Sequence, residues 1–360
     1  MKRYGKKINA EQTWDALQAQ VESNRLLHQK SRPGIPLCIW GEHGIGKTDL
    51  VKTFARQQHF KLVMIALAQF EEMGDLLGMP SIENQQTVLK KPAWAPEGFG
   101  PGILLIDDFN RADLRILRGI MPLLQDGALL SWALPPDWHI VLTANPDHGD
   151  YQVTTLDEAI VTRMLHVDMQ FEISAWLRWA EKQKIPQDLL DFVVFFPELL
   201  GKGRSTARTL SQFFFSLQDR RVLETNTAQL EILAYGYLDA ETALAFMQYW
   251  NTKKWRLPNS DTILESTSFT EELTPQLSYL LNQETMRVDV LQVVWERLLF
   301  RIKTLDGQLS GKNLKNLKTF LQMENLPKDI RKAWVLELLS LDKPGLEQSF
   351  REPIWAQLLL

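Results

Sequence analysis

The sequence predicts an α/β fold: a parallel sheet in an αβα sandwich, followed by a helical domain and a helical C-terminal extension. Three observations predict it. Short apolar runs alternate with stretches of helical periodicity between residues 36 and 168. A glycine-rich turn, Gly41-Glu42-His43-Gly44-Ile45-Gly46-Lys47-Thr48, joins the first of those runs to the helix after it. Beyond Gln170 the strand-like runs stop, and Leu-rich segments at helical spacing take over. The predicted division is an N-terminal helix within 1–33, the αβα domain over 34–170, a small helical domain over 171–255 and a helical extension over 256–360.

Residues 10–30 place Trp14, Leu17, Val21 and Leu26 or Leu27 at helical spacing, and Ser31-Arg32-Pro33-Gly34 ends the helix. Pro36-Leu37-Cys38-Ile39-Trp40 is short and apolar, a buried strand. After the glycine turn, Leu50, Val51, Phe54 and Ala55 share one face of a helix over 48–58. Phe60–Leu67, with β-branched Val63 and Ile65, is a second strand. A short helix near Glu71–Leu77 leads into an irregular or hairpin insert rich in proline and glycine. Ile103-Leu104-Leu105-Ile106 runs straight into Asp107-Asp108, a buried strand ending in two acids. A helix over 112–125 carries Pro122, which should kink or shorten it. Residues 128–133 and 139–143 read as strands, and the second ends in Ala144-Asn145-Pro146. A short helix over 156–164 ends in Arg163, and Leu165–Asp168 is the last strand. Helices are then expected near 174–183, 186–195, 205–218 and 226–250. A polar linker over 251–263 follows, and then Leu-rich helix to the end, with Trp295, Trp334 and Trp355 as core or interface residues.

Composition narrows the function classes. The chain is 45% apolar and 23% charged, an ordinary globular balance with ample core. A net charge of −4 argues against a mainly electrostatic nucleic-acid binder. The short basic clusters (Lys2, Arg3, Lys6, Lys7; Lys312, Lys315, Lys318) read as solvated faces. The single cysteine, Cys38, excludes an internal disulfide, suits a reducing compartment and reads as a small core hydrophobe. No apolar run reaches the ~18 residues of a membrane-spanning helix, and the start shows no apolar signal-peptide core. A cytoplasmic protein without membrane insertion is the expectation.

The glycine turn fits the phosphate-binding pattern G-x-x-x-x-G-K-[ST] at every fixed position, in the strand–turn–helix context that pattern needs. Its glycines let backbone N–H groups face phosphates, and the new helix adds partial positive charge. The whole loop from Gly41 to Thr48 is therefore the candidate nucleotide cradle. Lys47 would reach the β- and γ-phosphates, and the Thr48 hydroxyl would coordinate Mg²⁺. Asp107 would hold Mg²⁺ through its waters, and Asp108 would orient the attacking water. Asn145 has two readings: a partner for that water or the γ-phosphate, or a turn-starting residue before proline.

These residues resemble the AAA+ ATPases, and within them the MoxR-like group, over about residues 34–215. Gly41–Thr48 looks like the Walker A loop and Ile103–Asp108 the Walker B strand. Asn110-Arg111-Ala112 is similar to the N-R-A segment that follows Walker B in MoxR proteins, and Asp75-Leu76-Leu77-Gly78 to their D-L-x-G. Thr143-Ala144-Asn145-Pro146 resembles the sensor-1 strand end. Leu156–Met164 resembles the stretch whose arginine, here Arg163, acts as a finger. Ser205-Thr206-Ala207-Arg208 resembles the start of the sensor-2 helix, with Arg208 as sensor. This chain departs from the family at three places: Asp108 stands for the usual glutamate, Met164 for an aromatic residue, and Ala207 for a proline.

The resemblance implies a P-loop core with a helical lid, ATP and Mg²⁺ as cofactors, and a ring homo-oligomer, typically a hexamer. It also implies action on a client protein, often one with a von Willebrand A domain. A slow nucleotide switch or scaffold is the alternative, favoured by the shorter Asp108. A DNA-acting motor is the third class, opposed by the net charge.

Overall fold

A computed structural model describes residues 4–146, 153–154, 156–201, 203–217, 227–252, 257–281, 286–305, 308–323, 325–341, 343 and 346. The chain divides into two compact units, Met1–Trp176 with Thr206–Thr209, and Leu177–Ser205 with Leu210–Leu360.

The first unit is built on a six-stranded, all-parallel sheet. In spatial order its strands are β1 (Lys6–Ile8), β10 (Leu165–Met169), β2 (Leu37–Trp40), β9 (Trp138–Ala144), β6 (Gly102–Asp107) and β3 (Lys61–Ala66). Alternation along each strand sorts the core into two layers. Leu37, Ile39, Ile103, Leu105 and Val141 face Leu17 and Val21 of α1 (Ala10–Gln29) and Val51 and Phe54 of α2 (Lys47–Gln57). Cys38, Trp40, Leu104, Ile106, Ile140 and Leu142 face the other layer, where Ile116 and Leu117 lie in α4 (Leu114–Gly119), and Leu123 and Leu124 in α5 (Met121–Asp126). At the start of α1 an Asn9–Gln12 capping box satisfies exposed N–H groups, Asn9 Oδ1 accepting from Gln12 N at 2.9 Å.

Several local expectations change. The strand β1 went unread because Lys6-Lys7-Ile8 is short and basic; pairing with Val167–Met169 makes it a strand. Of the two readings of the insert after α3 (Met73–Leu77), the hairpin is the one found, β4 (Met79–Glu83) pairing antiparallel with β5 (Gln86–Lys90). The single helix expected over 112–125 is two, broken at Ile120, with Pro122 in the first turn of α5, where its missing N–H costs nothing. Residues 128–133 form not one strand but a small hairpin, β7 (Ala128–Leu129) with β8 (Trp132–Ala133). The helix near Arg163, α6, spans only Glu158–Val161.

The second unit is helical among its described residues. The single helix expected over 226–250 is two, Thr227–Tyr237 and Ala240–Thr252. Asp239 breaks it by accepting from Thr242 N at 2.9 Å, a local alternative to the helix ladder. Phe192, Phe213, Phe246 and Tyr249 form one aromatic core, with Phe213 and Phe246 edge-on at 4.8 Å. The supposed linker becomes helix at Ser260–Glu265, capped by Asn259. Trp295 and Trp334 stack at 4.7 Å in the C-terminal core, and their indoles donate to Glu337 and Gln292. Trp355 lies outside the described residues. Arg297, nearly buried, pairs with Asp191 at 2.8 Å and Glu181 at 3.1 Å. Among the described residues no helix is long and apolar enough to cross a membrane.

Candidate nucleotide-binding and catalytic site

The carboxyl ends of β2, β6 and β9 are adjacent in the sheet and bring the predicted residues to one edge. Gly41, Gly44 and Gly46 all adopt positive φ (151°, 71° and 97°), which is what this turn requires of them. Gly46 caps α2, and a Cβ built there would meet nothing within 4 Å, so space lies open at that helix N-terminus. A Cβ on Gly44 would come within 2.9 Å of Thr206 Oγ1.

Lys47 points back under the loop. Its Nζ donates to the carbonyls of Gly41 (2.7 Å) and Glu42 (2.8 Å) and to Asn145 Oδ1 (3.0 Å). Burial drives its pKa down to about 8, opposed by the charges of Asp108 and Asp107. An arriving polyphosphate would supply the negative charge that favours the ammonium form. Thr48 Oγ1 donates to Asp107 Oδ1 at 2.6 Å, and Thr143 Oγ1 donates to the same oxygen at 2.7 Å. A hydroxyl and a carboxylate this close are hard oxygen donors that fit Mg²⁺, which takes one or two protein ligands and fills its shell with water and phosphate. Among the described residues no group of three or more His, Cys, Asp or Glu side chains gathers as a metal cage.

Asp108 follows directly, at a left-handed φ of 47°. Its N–H donates to Thr143 Oγ1 (2.8 Å), and its Oδ1 accepts from Asn145 Nδ2 (2.8 Å). Its Oδ2 lies 3.4 Å from Arg111 Nε. Asn145 therefore reaches both Lys47 and Asp108 with one amide. Its backbone is locked in turn by Asn110: Asn145 N–H donates to Asn110 Oδ1 (3.1 Å), and Asn110 Nδ2 donates to the Asn145 carbonyl (2.7 Å). Of the two readings of Asn145, the geometry shows a buried residue bonded within the cluster, 1% exposed.

Glu42, His43 and Ile45 occupy the loop's variable positions. Burial lowers the proton affinity of His43, with the Lys47, Arg208 and Arg111 charges acting in the same sense. Cys38, beneath the loop in β2, is a buried thiol whose pKa burial pushes well up. Arg208 joins the loop through its backbone, its N–H donating to the Gly44 carbonyl at 3.0 Å. Arg163 stands apart from this group. Its Nε donates to Gln125 Oε1 at 3.0 Å, and its guanidinium also reaches the Ala159 carbonyl. It lines an open cavity of about 500 Å³ with Gln20, Ile35, Leu124, Thr162 and Leu165.

Sequence reasoning did not assign roles to Thr143 or Asn110. Thr143 was legible only as a polar residue in an apolar strand, and Asn110 only as part of a motif. Both act across the β6–β9 pairing, which places Ile106 opposite Leu142.

Residues 36–164 match the sequence model of the AAA domain of the dynein-related subfamily. The chain is 28% identical over 128 residues to an ATP-dependent protease ATP-binding subunit-like protein of Rhodococcus erythropolis, covering 32% of this chain and 36% of that one. It is 28% identical over 184 residues to a midasin of Giardia intestinalis, covering 47% of this chain and 4% of that one. The chain thus spans about a third of the first relative's length and a small part of the second. Among solved structures, the RuvB Holliday junction branch migration motor of Thermotoga maritima aligns over 86% of this chain and 95% of its own, at 15% identity and a TM-score of 0.41. With the loop, the two acids and Asn145 gathered at one sheet edge, and with the family match over the same residues, the 36–164 segment of this chain is an AAA+ ATPase domain.

Proposed function

We propose that this chain is a Mg²⁺-dependent ATP hydrolase of MoxR-like type that works as a ring oligomer, a hexamer in the simplest form, and remodels or activates a client protein in the cytoplasm. One observation carries the reading. The amide of Asn145 bridges Lys47 and Asp108 while Thr48 and Thr143 share Asp107. Phosphate-binding, metal-binding and water-orienting groups are thereby held in one hydrogen-bonded cluster. Thr48 and Asp107 would hold Mg²⁺, which when bound would supply positive charge to the phosphates. Lys47 would then hold the phosphates, Asp108 would accept a proton from the attacking water, and Asn145 would keep that carboxylate aimed. Arg208 serves as sensor at the loop. Arg163 serves as the finger presented to a neighbouring subunit, where such arginines contribute about 10³–10⁵ in rate. A von Willebrand A domain is the client type suggested by the resemblance to MoxR proteins.

Subunit mixing tests the ring reading. Arg163→Ala should bind ATP and hydrolyse it slowly, and mixing it with Lys47→Ala subunits should restore some activity, since an intact loop then meets an intact finger. No recovery in verified mixed rings rejects a finger acting between subunits.

A second reading, a slow nucleotide switch, is favoured by one feature. Both oxygens of Asp108 are engaged, by Asn145 and Arg111, on a side chain one methylene shorter than glutamate. Steady-state turnover separates the two readings.

A further inference from the structure

Trp40 ends β2 and hands the chain to Gly41, whose carbonyl holds Lys47. The Trp40 indole Nε1–H donates to His166 Nδ1 at 2.9 Å. An accepting Nδ1 makes the imidazole the neutral Nε2–H tautomer. Nε2–H then donates to the Val161 carbonyl at 2.7 Å. Val161 closes α6, two residues before Arg163. One imidazole thus joins the strand entering the phosphate loop to the end of α6, two residues before Arg163. Burial lowers the proton affinity of His166, which suits a ring that must keep one acceptor.

The surroundings fix this ring. Tyr4 packs over both partners, with centroids 5.2 Å from Trp40 and 5.4 Å from His166. Gly5 makes that approach possible: its φ is 85°, and a Cβ there would lie 2.3 Å from the His166 carbonyl oxygen. Ile160 and Val161 anchor α6 in the core layer, and His166 adds the polar tie at its C-terminal end. The helix is a single turn, too short to be stable alone. Its N-terminal end is capped by Asp157, which accepts from Ile160 N at 2.9 Å. At its other end the Val161 carbonyl has, among the described residues, a long 3.4 Å contact from Met164 N besides the His166 bond. The guanidinium of Arg163 is bonded to the Ala159 carbonyl of α6 and to Gln125 Oε1, so the position of that turn bears on its aim.

We propose that His166 is a positioning residue, which sets Arg163 by tying the C-terminal end of α6 to the strand that leads into the phosphate loop. This rests on the reading of Arg163 as the finger.

The test uses the full chain with His166→Ala and His166→Gln, the glutamine amide being able to accept from the indole and donate to the carbonyl. Hydrogen exchange is followed over 157–164, and ATP affinity and kcat are measured separately. His166→Ala should raise exchange in that segment, leave ATP affinity within about twofold and lower kcat about tenfold, the scale of a misplaced catalytic group. His166→Gln should recover most of both effects. Trp40→Phe, which removes the indole N–H together with part of the ring, should also raise exchange over 157–164 and serves if His166→Ala fails to fold. In an Arg163→Ala background, His166→Ala should add no further loss. Unchanged exchange over 157–164 overturns the proposal. So does an undiminished extra loss in the Arg163→Ala background, or a joint fall of affinity and kcat that glutamine does not rescue. If Arg163→Ala alone turns over normally, the finger reading fails, and the placing of α6 by His166 then stands or falls on exchange alone.

Discussion

Asn145 Nδ2 donates to Asp108 Oδ1 at 2.8 Å, and this amide is the only side-chain partner of that oxygen among the described hydrogen bonds. The contact fixes where the Asp108 carboxylate points. It also makes Asn145 an aiming device rather than a second base, since an amide cannot accept the proton. Asn145→Ala should therefore leave ATP affinity within a few-fold and lower kcat about 10²-fold, the usual cost of one oriented donor in a catalytic site. Single-turnover hydrolysis with saturating nucleotide measures this; an unchanged rate removes Asn145 from the mechanism.

Asp108 itself should separate binding from chemistry. Asp108→Asn should bind ATP and hydrolyse it at least about 10²-fold more slowly, because an amide is a poor base of similar size. Asp108→Glu distinguishes the two functional readings. A rise in turnover means that the short carboxylate limits the rate, and no rise means that the limit lies elsewhere. Phosphate release under steady state reads both.

Thr143→Val should act through two neighbours at once. The hydroxyl accepts from Asp108 N and donates to Asp107 Oδ1 inside a buried strand. Its removal leaves a backbone donor unpaired, which costs about 1–3 kcal/mol. The same change should raise the Mg²⁺ concentration needed for half-maximal activity. Urea denaturation and a Mg²⁺ titration together check it; loss of stability without any change in Mg²⁺ dependence would confine Thr143 to a structural part.

Much of this site was legible in the sequence, and the reason is locality. The positive φ of Gly41, Gly44 and Gly46 and the placing of Lys47 and Thr48 are properties of one turn entering one helix. The two acids at the end of β6 were legible because a buried strand with polar ends is a local pattern. The rest was not local. Thr143 and Asn110 acquire their roles from the strand beside them, and His166 from Trp40, which lies far from it in sequence. The fold shows the same limit. β1 is a strand through its partner, and the break at Asp239 is set by one side chain accepting from Thr242.

The lower end of the sheet should show its own pH dependence. His139 is 3% exposed, and its pKa is pushed down to about 4, mainly by burial, with Asp137 opposing and the charges of His28 and Arg25 assisting. Its folded value lies below its unfolded value, so the unfolded chain binds the extra proton first. Stability is full above about pH 6.5 and falls as pH drops towards 4. The loss between about pH 7 and pH 5 should be about 2 kcal/mol. His139→Leu should remove this part of the pH dependence. Denaturation curves for both proteins at the two pH values check it; parallel losses would assign the effect to other groups.

Lys47→Ala gives the most direct test of the central claim, that Gly41–Thr48 and the acids behind it bind and hydrolyse ATP. Calorimetry with ATP and Mg²⁺, paired with phosphate release, should show binding and turnover by the natural chain. In the variant, affinity should fall by about 1.5–3 kcal/mol, the scale of one charge-assisted contact, with no turnover. ATP binding that is indifferent to Lys47→Ala would contradict the claim.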